Sequence, residues 1–280
     1  LASARDASMS KITELELGDD IINPLAWDFR DLQGTLDAAR KFVGSEPNWY
    51  KTFGNNFSEL VGDKNMAEFS SVFSILSPQN PVERNLSDAL VVMRVVREIY
   101  EKSGGKMNWE MFDKRLRPVV GEGKDAPKNM ARDKAEVLKL GDLLAPGKTT
   151  TSIKDLYFTR NQTNQLKTLY KDGIFKGDMK TSAFVMGLYQ QSKGAGFFPF
   201  TVNDVHIARL FGIAKAPRKT EDGLKQGFGF DTTIEGRKTY RWVQYQMAEL
   251  ARRNDMSPDD VQATLWLYSK KFLSPKGKGE

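Results

Sequence analysis

The sequence contains no cysteine and a single histidine, His206. The first absence excludes disulfides, thiolate zinc sites and cysteine-ligated iron–sulfur clusters. The second argues against histidine-rich metal centres and leaves acid–base work to carboxylates and lysines. Long apolar runs are missing too: none approaches the roughly 20 residues that a membrane helix requires, and the N-terminus lacks the basic and apolar regions of a secretory signal. The expectation is a cytoplasmic protein with no membrane span, no metal and no cofactor.

What is present suffices for a packed core. The 280 residues are 40% hydrophobic and 11% aromatic, ample for one large domain or two lobes. The 42 Lys and Arg outnumber 36 Asp and Glu, for a formal charge of +6. Such a balance favours a polyanionic partner where the charge is clustered on one face.

Helical periodicity dominates. Leu86, Ala89, Leu90, Met93, Val96 and Tyr100 recur at three- and four-residue spacing, and Gly104-Gly105 closes that helix. Further helices are expected over 33–43, 66–76, 108–116, 129–145, 153–157 and 160–171, the last started by Thr159 and stopped at Gly173. A helix over 178–192 precedes a loop at Gly194-Ala195-Gly196. Another starts at Asp204, presents Ile207, Leu210 and Phe211 on one face, and ends at Gly212. Residues 213–233 read as an extended connection able to hold a short hairpin. A helix over 235–253 is followed by Ser257-Pro258-Asp259-Asp260, where Ser is the N-cap, Pro the first helical residue and Asp260 the capping-box acid. With few alternating patterns and no internal repeat, the fold class is all-α.

Three separated segments, in order, resemble the helix-hairpin-helix DNA glycosylase superfamily, which includes endonuclease III and the adenine glycosylases. Phe73-Ser74-Ile75-Leu76-Ser77-Pro78-Gln79-Asn80 is similar to the family's L-S-x-Q stretch. In relatives that glutamine fills the gap left by an extruded base, which makes Gln79 the wedge candidate; taken alone, Gln79 is equally a solvated loop residue. Met130 to Leu138, with Lys134-Ala135-Glu136, is similar to the helix that follows the wedge. Lys180-Thr181-Ser182-Ala183 and then Asp204-Val205-His206-Ile207-x-Arg209 resemble the family's K-T-A and V-D-T-H-I-x-R.

The resemblance implies a catalytic role for Asp204. A carboxylate there orients or deprotonates water, or stabilises positive charge developing on the deoxyribose as the glycosidic bond breaks. Lys180 is the candidate nucleophile that attacks the anomeric carbon and forms a Schiff base. Both have plainer readings: Asp204 as a helix N-cap, Lys180 as a solvated helix lysine. His206 reads as structural, and Arg209 as a partner for a carboxylate or a phosphate.

The sequence departs from the family just before Lys180. The usual L-P-G-x-G hairpin, which offers backbone N–H groups to a phosphate, is replaced by Ile174-Phe175-Lys176-Gly177-Asp178-Met179 with one glycine. Gly177 is the hairpin glycine that remains as a DNA-contact candidate, Lys176 and Lys180 can compensate electrostatically, and Lys215, Arg218 and Lys219 can extend the footprint. In place of the iron–sulfur loop stands Val261-Gln262-Ala263-Thr264-Leu265-Trp266. Its Gln-Ala-x-x-Trp is similar to divergent phage-type homologues, including the glycosylase-derived thymine pyrophosphorylases; on spacing alone, Trp266 reads as core.

The expectation is therefore a two-lobe, helix-hairpin-helix glycosylase-like domain over 21–275 after a flexible segment 1–20, with a helical lobe about 80–175 and a second lobe from 21–79 plus 176–275. Its cleft would hold Asp204. The function implied is a monomeric DNA glycosylase acting on double-stranded DNA. The alternatives are a phage-type transferase that modifies a base, and a non-catalytic DNA-binding or virion-associated module.

Overall fold

A computed structural model describes residues 29–44, 49–77, 82–116, 144, 158–177, 179–193, 201–220, 223–230 and 233–272. The described chain is mostly helical. It divides into two compact units, Asn55–Gly177 and the combination of Leu1–Gly54 with Asp178–Glu280. The helices expected at 129–145 and 153–157, the Met130–Leu138 segment and the N-terminal segment lie outside the described residues.

The helix α1 spans Phe29–Val43 and α2 spans Trp49–Val61. Sequence periodicity does not announce α2, because Gly54-Asn55-Asn56 interrupts its middle. The glycine has a steric reason: a Cβ at Gly54 would lie 3.0 Å from the backbone nitrogen of Ser192.

In the continuous unit, Asp63–Asn65 forms a short 3₁₀ turn, followed by α3 (Met66–Leu76), α4 (Val82–Lys102), α5 (Trp109–Arg115) and α6 (Arg160–Asp172). The helix α3 packs against α4 and α6, and α5 against α4. The Phe57 ring lies 5.0 Å from Phe69 and 5.2 Å from Phe73. These contacts place α3 in the continuous unit, so the boundary falls after Gly54 rather than near residue 80.

The helix ends follow their residues. Thr159 caps α6 in a reciprocal box with Gln162, and Gly173 ends it at φ 66°. Asn108 caps α5 by accepting from the Met111 N–H.

Between its ends, α4 is more deeply buried than one apolar stripe requires. Ala89, Leu90, Met93 and Val96 are in the core as the spacing indicates, but so are Arg84, Asn85, Asp88, Arg94 and Glu98. Buried polar groups must find partners inside the protein. Arg84 Nε donates to Asp88 at 2.8 Å, and Asn85 Nδ2 donates to the Phe73 carbonyl at 2.9 Å.

A second polar cluster ties α3 to α6, where the Tyr170 hydroxyl donates to Glu68 Oε1 at 2.8 Å. Burial raises the Glu68 pKa against the opposing effects of Tyr170 and Arg97. A carboxyl whose pKa rises on folding takes up protons as the chain folds. Its contribution to stability is greatest below its unfolded pKa and is lost as pH rises through the folded value. Glu68→Gln, which keeps an acceptor for Tyr170 without the charge, is therefore expected to gain in melting temperature relative to the unaltered protein as pH is raised from about 4 to about 7. A gap that is constant or narrows over that range would contradict the assignment.

The discontinuous unit contains α1 and then α7 (Met179–Ser192), α8 (Val205–Leu210), β1 (Ala214–Thr220), β2 (Gly223–Phe228), α9 (Ile234–Arg253) and α10 (Pro258–Phe272). The helix α10 packs against α1, α8 and α9. Leu36, Ile207, Phe211, Met247, Leu250 and Leu265 lie in their shared core. Gly212 ends α8 at φ 62°, and the Ile213 N–H reaches back to the Ala208 carbonyl at 2.8 Å.

The strands β1 and β2 form an antiparallel hairpin, paired from Ala214↔Phe228 to Thr220↔Gly223. The register shifts between Lys215 and Arg218, where Pro217 has no N–H to give the ladder. This hairpin is the departure from an all-α chain among the described residues, and it falls in the stretch whose composition suggested one. At the start of α10, the Asp260 N–H donates to Ser257 Oγ at 3.3 Å. The Ser257 hydroxyl donates to the Asp260 carboxylate at 2.7 Å, the helix start expected at Ser257-Pro258.

Candidate active site around Asp204

Asp204 is both a helix cap and a cross-helix link. It is the N-cap of α8 in extended backbone, at φ −112° and ψ −164°. Its Oδ1 accepts from the His206 N–H at 2.8 Å and from the Ile207 N–H at 3.4 Å. Its Oδ2 accepts from the Trp266 indole N–H at 2.9 Å. Two helices thus fix the orientation of one half-buried carboxylate. The Ser269 hydroxyl adds a further tie, donating to the His206 carbonyl at 2.7 Å.

The three residues before Asp204 are buried and lie in no helix or strand, so side chains take up their backbone groups. The Tyr240 hydroxyl donates to the Thr201 carbonyl at 3.0 Å and accepts from the Asn203 N–H at 2.9 Å. Gln244 Nε2 also donates to the Thr201 carbonyl, at 3.2 Å. Gln262 Nε2 donates to the Val202 carbonyl at 2.9 Å. The helices α9 and α10 therefore hold the segment that presents Asp204.

Below this segment Gln191 Nε2 donates to Asp259 Oδ2 at 2.9 Å, linking the end of α7 to the start of α10. Burial raises the Asp259 pKa, opposed by hydrogen bonds from Ser257, the backbone N–H groups of Asp259 and Asp260, and Gln191.

Cations and an indole surround His206. The His206 ring meets Trp266 edge-on at 5.4 Å, and Lys270 Nζ stands over the Trp266 ring at 5.0 Å. Burial lowers the His206 pKa; Asp204 opposes this, while Arg209, Lys270 and Lys180 add to it. Three cations, from α7, α8 and α10, thus add to the effect of burial on one imidazole.

The residues singled out in the sequence fall in several places. Asp204, His206, Arg209 and Lys180 share the discontinuous unit; Lys180 is in the first turn of α7, partly buried. The Arg209 guanidinium lies 5.8 Å from the Phe228 ring. Lys176 is exposed and Gly177 half-buried, both at the end of the continuous unit. Lys215 and Arg218 lie on β1, opposite Gly227 and Lys225. Gln79 lies outside the described residues. No three metal-ligating side chains converge, and no helix is long and apolar enough to cross a membrane, among the described residues.

Trp266, which its spacing assigns to the core, is half-buried and packs against the core of this unit, and its indole N–H is in addition bonded to Asp204. Tyr240 and Gln244 escaped sequence reasoning, because nothing local marks a side chain that will hold a segment some 40 positions away. For Gln262 and Trp266 a signal exists: spaced i, i+4, they share one face of α10 and meet the 202–204 segment together.

No protein-family model matches the chain, and neither the curated proteins nor the solved structures compared with it give a match.

Proposed function

We propose that the protein is a DNA glycosylase-type enzyme that extrudes a base from duplex DNA and acts at its glycosidic bond, with Asp204 as the central carboxylate. The observation that carries this reading is the Asp204 carboxylate itself, held between α8 and α10 by three N–H donors. A carboxylate so oriented is a fixed negative charge, suited to a sugar that becomes cationic as its base departs. In the reaction the glycosidic bond breaks with its electron pair leaving on the base. Water then adds to the anomeric carbon, and its proton goes to the base or to solvent.

Mass spectrometry of free bases and nucleosides, after incubation with duplexes that each carry one modified base, tests the reading. The expected product is a free base and an abasic site. A changed base still joined to its sugar would favour the transferase instead.

In this reading Lys180 contacts a phosphate, as one of the cations gathered around His206. Lys180→Gln is expected to weaken binding to all duplexes alike and to reduce the dependence of log K on log salt by about 0.9, the share of one phosphate contact. A covalent adduct trapped by borohydride in the parent protein and lost in Lys180→Gln would instead make Lys180 the nucleophile.

A second reading rests on the Asp204 bonds as well. Two of the three are those of any N-cap, and a non-catalytic DNA-binding module would keep them for stability alone. That reading expects salt-dependent DNA binding with no product at all.

A further inference from the structure

We infer that Trp266 is a positioning residue for the Asp204 carboxylate, acting through its indole N–H with Lys270 stationed over its ring. The inference rests on the glycosylase reading of Asp204 and goes beyond it by assigning a role to the last described helix. The geometry has three parts. The N-cap bonds occupy Oδ1 and fix one edge of the carboxylate to α8. Trp266 Nε1 fixes the other oxygen from α10 at 2.9 Å. Lys270 Nζ, one turn further along α10, lies 5.0 Å from the Trp266 ring centroid.

A cap alone holds one oxygen and leaves the carboxylate plane free to pivot about its Cβ–Cγ bond once substrate arrives. The indole removes that freedom, because its N–H meets Oδ2 from a ring in contact with both Lys270 and the His206 imidazole. A cation over an indole face draws density from the ring and strengthens its N–H as a donor. The charge order then runs from the Lys270 ammonium through the indole to the carboxylate. Gln262, one turn earlier on α10, holds the Val202 carbonyl at 2.9 Å, so backbone and side chain of the presenting segment are gripped by one helix face. An Asp204 side chain held in this way has paid its ordering entropy before the sugar arrives, as preorganised electrostatic catalysis requires.

The test uses the full chain and needs no knowledge of the base. Affinity is measured for a duplex carrying one pyrrolidine nucleotide, whose protonated ring nitrogen mimics the cationic sugar. It is compared with the same duplex carrying an uncharged tetrahydrofuran nucleotide. The ratio of the two reports how well the carboxylate is aimed; general loosening of the fold weakens both duplexes and leaves the ratio alone. The parent protein is expected to prefer the cationic probe by at least tenfold, and Trp266→Phe, which keeps a ring for Lys270 and loses the N–H, to forfeit on the order of tenfold of that preference. Binding to the neutral probe should stay unchanged.

If Trp266→Phe retains the full preference while Asp204→Asn abolishes it, the positioning role is overturned and the reading of Asp204 stands. If Asp204→Asn retains the preference, that reading falls and the inference with it. Indole N–H resonances provide a measurement that does not depend on DNA. The chain has five tryptophans, and the resonance missing from Trp266→Phe identifies the one of interest. That resonance should move in Asp204→Asn; a resonance that stays in place overturns the inference.

Discussion

Asp204→Asn is expected to slow base release by about 10²–10³-fold with little change in affinity for duplex DNA, the loss found when one oriented electrostatic group is removed from a preorganised site. The substitution is a narrow one. Asn is as good an N-cap as Asp, so the bonds from the His206 and Ile207 N–H groups can persist. Two things are lost: the negative charge, and the acceptor that Oδ2 offers Trp266. An amide group turned to keep the cap places its NH₂ against the indole N–H, so a modest fall in melting temperature accompanies the loss. Single-turnover release of base, measured beside thermal unfolding, separates the two effects. Full activity in Asp204→Asn would remove the carboxylate from the chemistry and leave it as a cap.

The helix ends were the most legible part of the fold, because their signals are local. Thr159 with Gln162, Asp204 before Val205, and Ser257 before Pro258 each satisfy orphan N–H groups within a few residues, and Gly173 and Gly212 supply the left-handed conformation that ends a helix. The helix α2 was not legible. Its Gly54-Asn55-Asn56 core contradicts helix propensity, and the reason for the glycine is a close approach to Ser192, a contact known only after folding.

For the candidate site, Asp204 was legible as a residue but its environment was not. The N-cap bonds could be read from sequence; the bond from Trp266 spans 62 positions. Spacing shows which residues share a helix face and says nothing of the partners that polar groups on that face will meet. It therefore shows the core contact of Trp266 and not its bond to Asp204, since an indole on an apolar face looks the same whether or not its N–H has a partner. The polar burial along α4 is hidden in the same way: spacing marks its apolar positions and does not show that Arg84, Asp88, Arg94 and Glu98 are buried beside them.

That hidden burial carries the largest stability effect expected in the continuous unit. Arg94 is 1% exposed. Its guanidinium meets the Glu101 carboxylate through two nitrogens, at 3.2 and 2.6 Å, and its Nε lies 3.6 Å from Glu98 Oε1. Glu98 is equally enclosed, with Arg115 at 3.4 Å on its other oxygen. Removing Arg94 strips the enclosed Glu98 carboxylate of part of its positive surroundings, leaving Arg115 at 3.4 Å, and truncating a long buried side chain adds a cavity. Arg94→Ala is therefore expected to destabilise the protein by about 3–5 kcal/mol, read from urea unfolding. The double variant Arg94→Met with Glu98→Leu removes both charges and refills the volume. It should recover most of that loss, because the desolvation cost of the pair disappears along with its attraction. Were the single variant to cost no more than a surface substitution, Arg94 would owe its burial to its aliphatic stem alone, and the charges on α4 would be incidental to its stability.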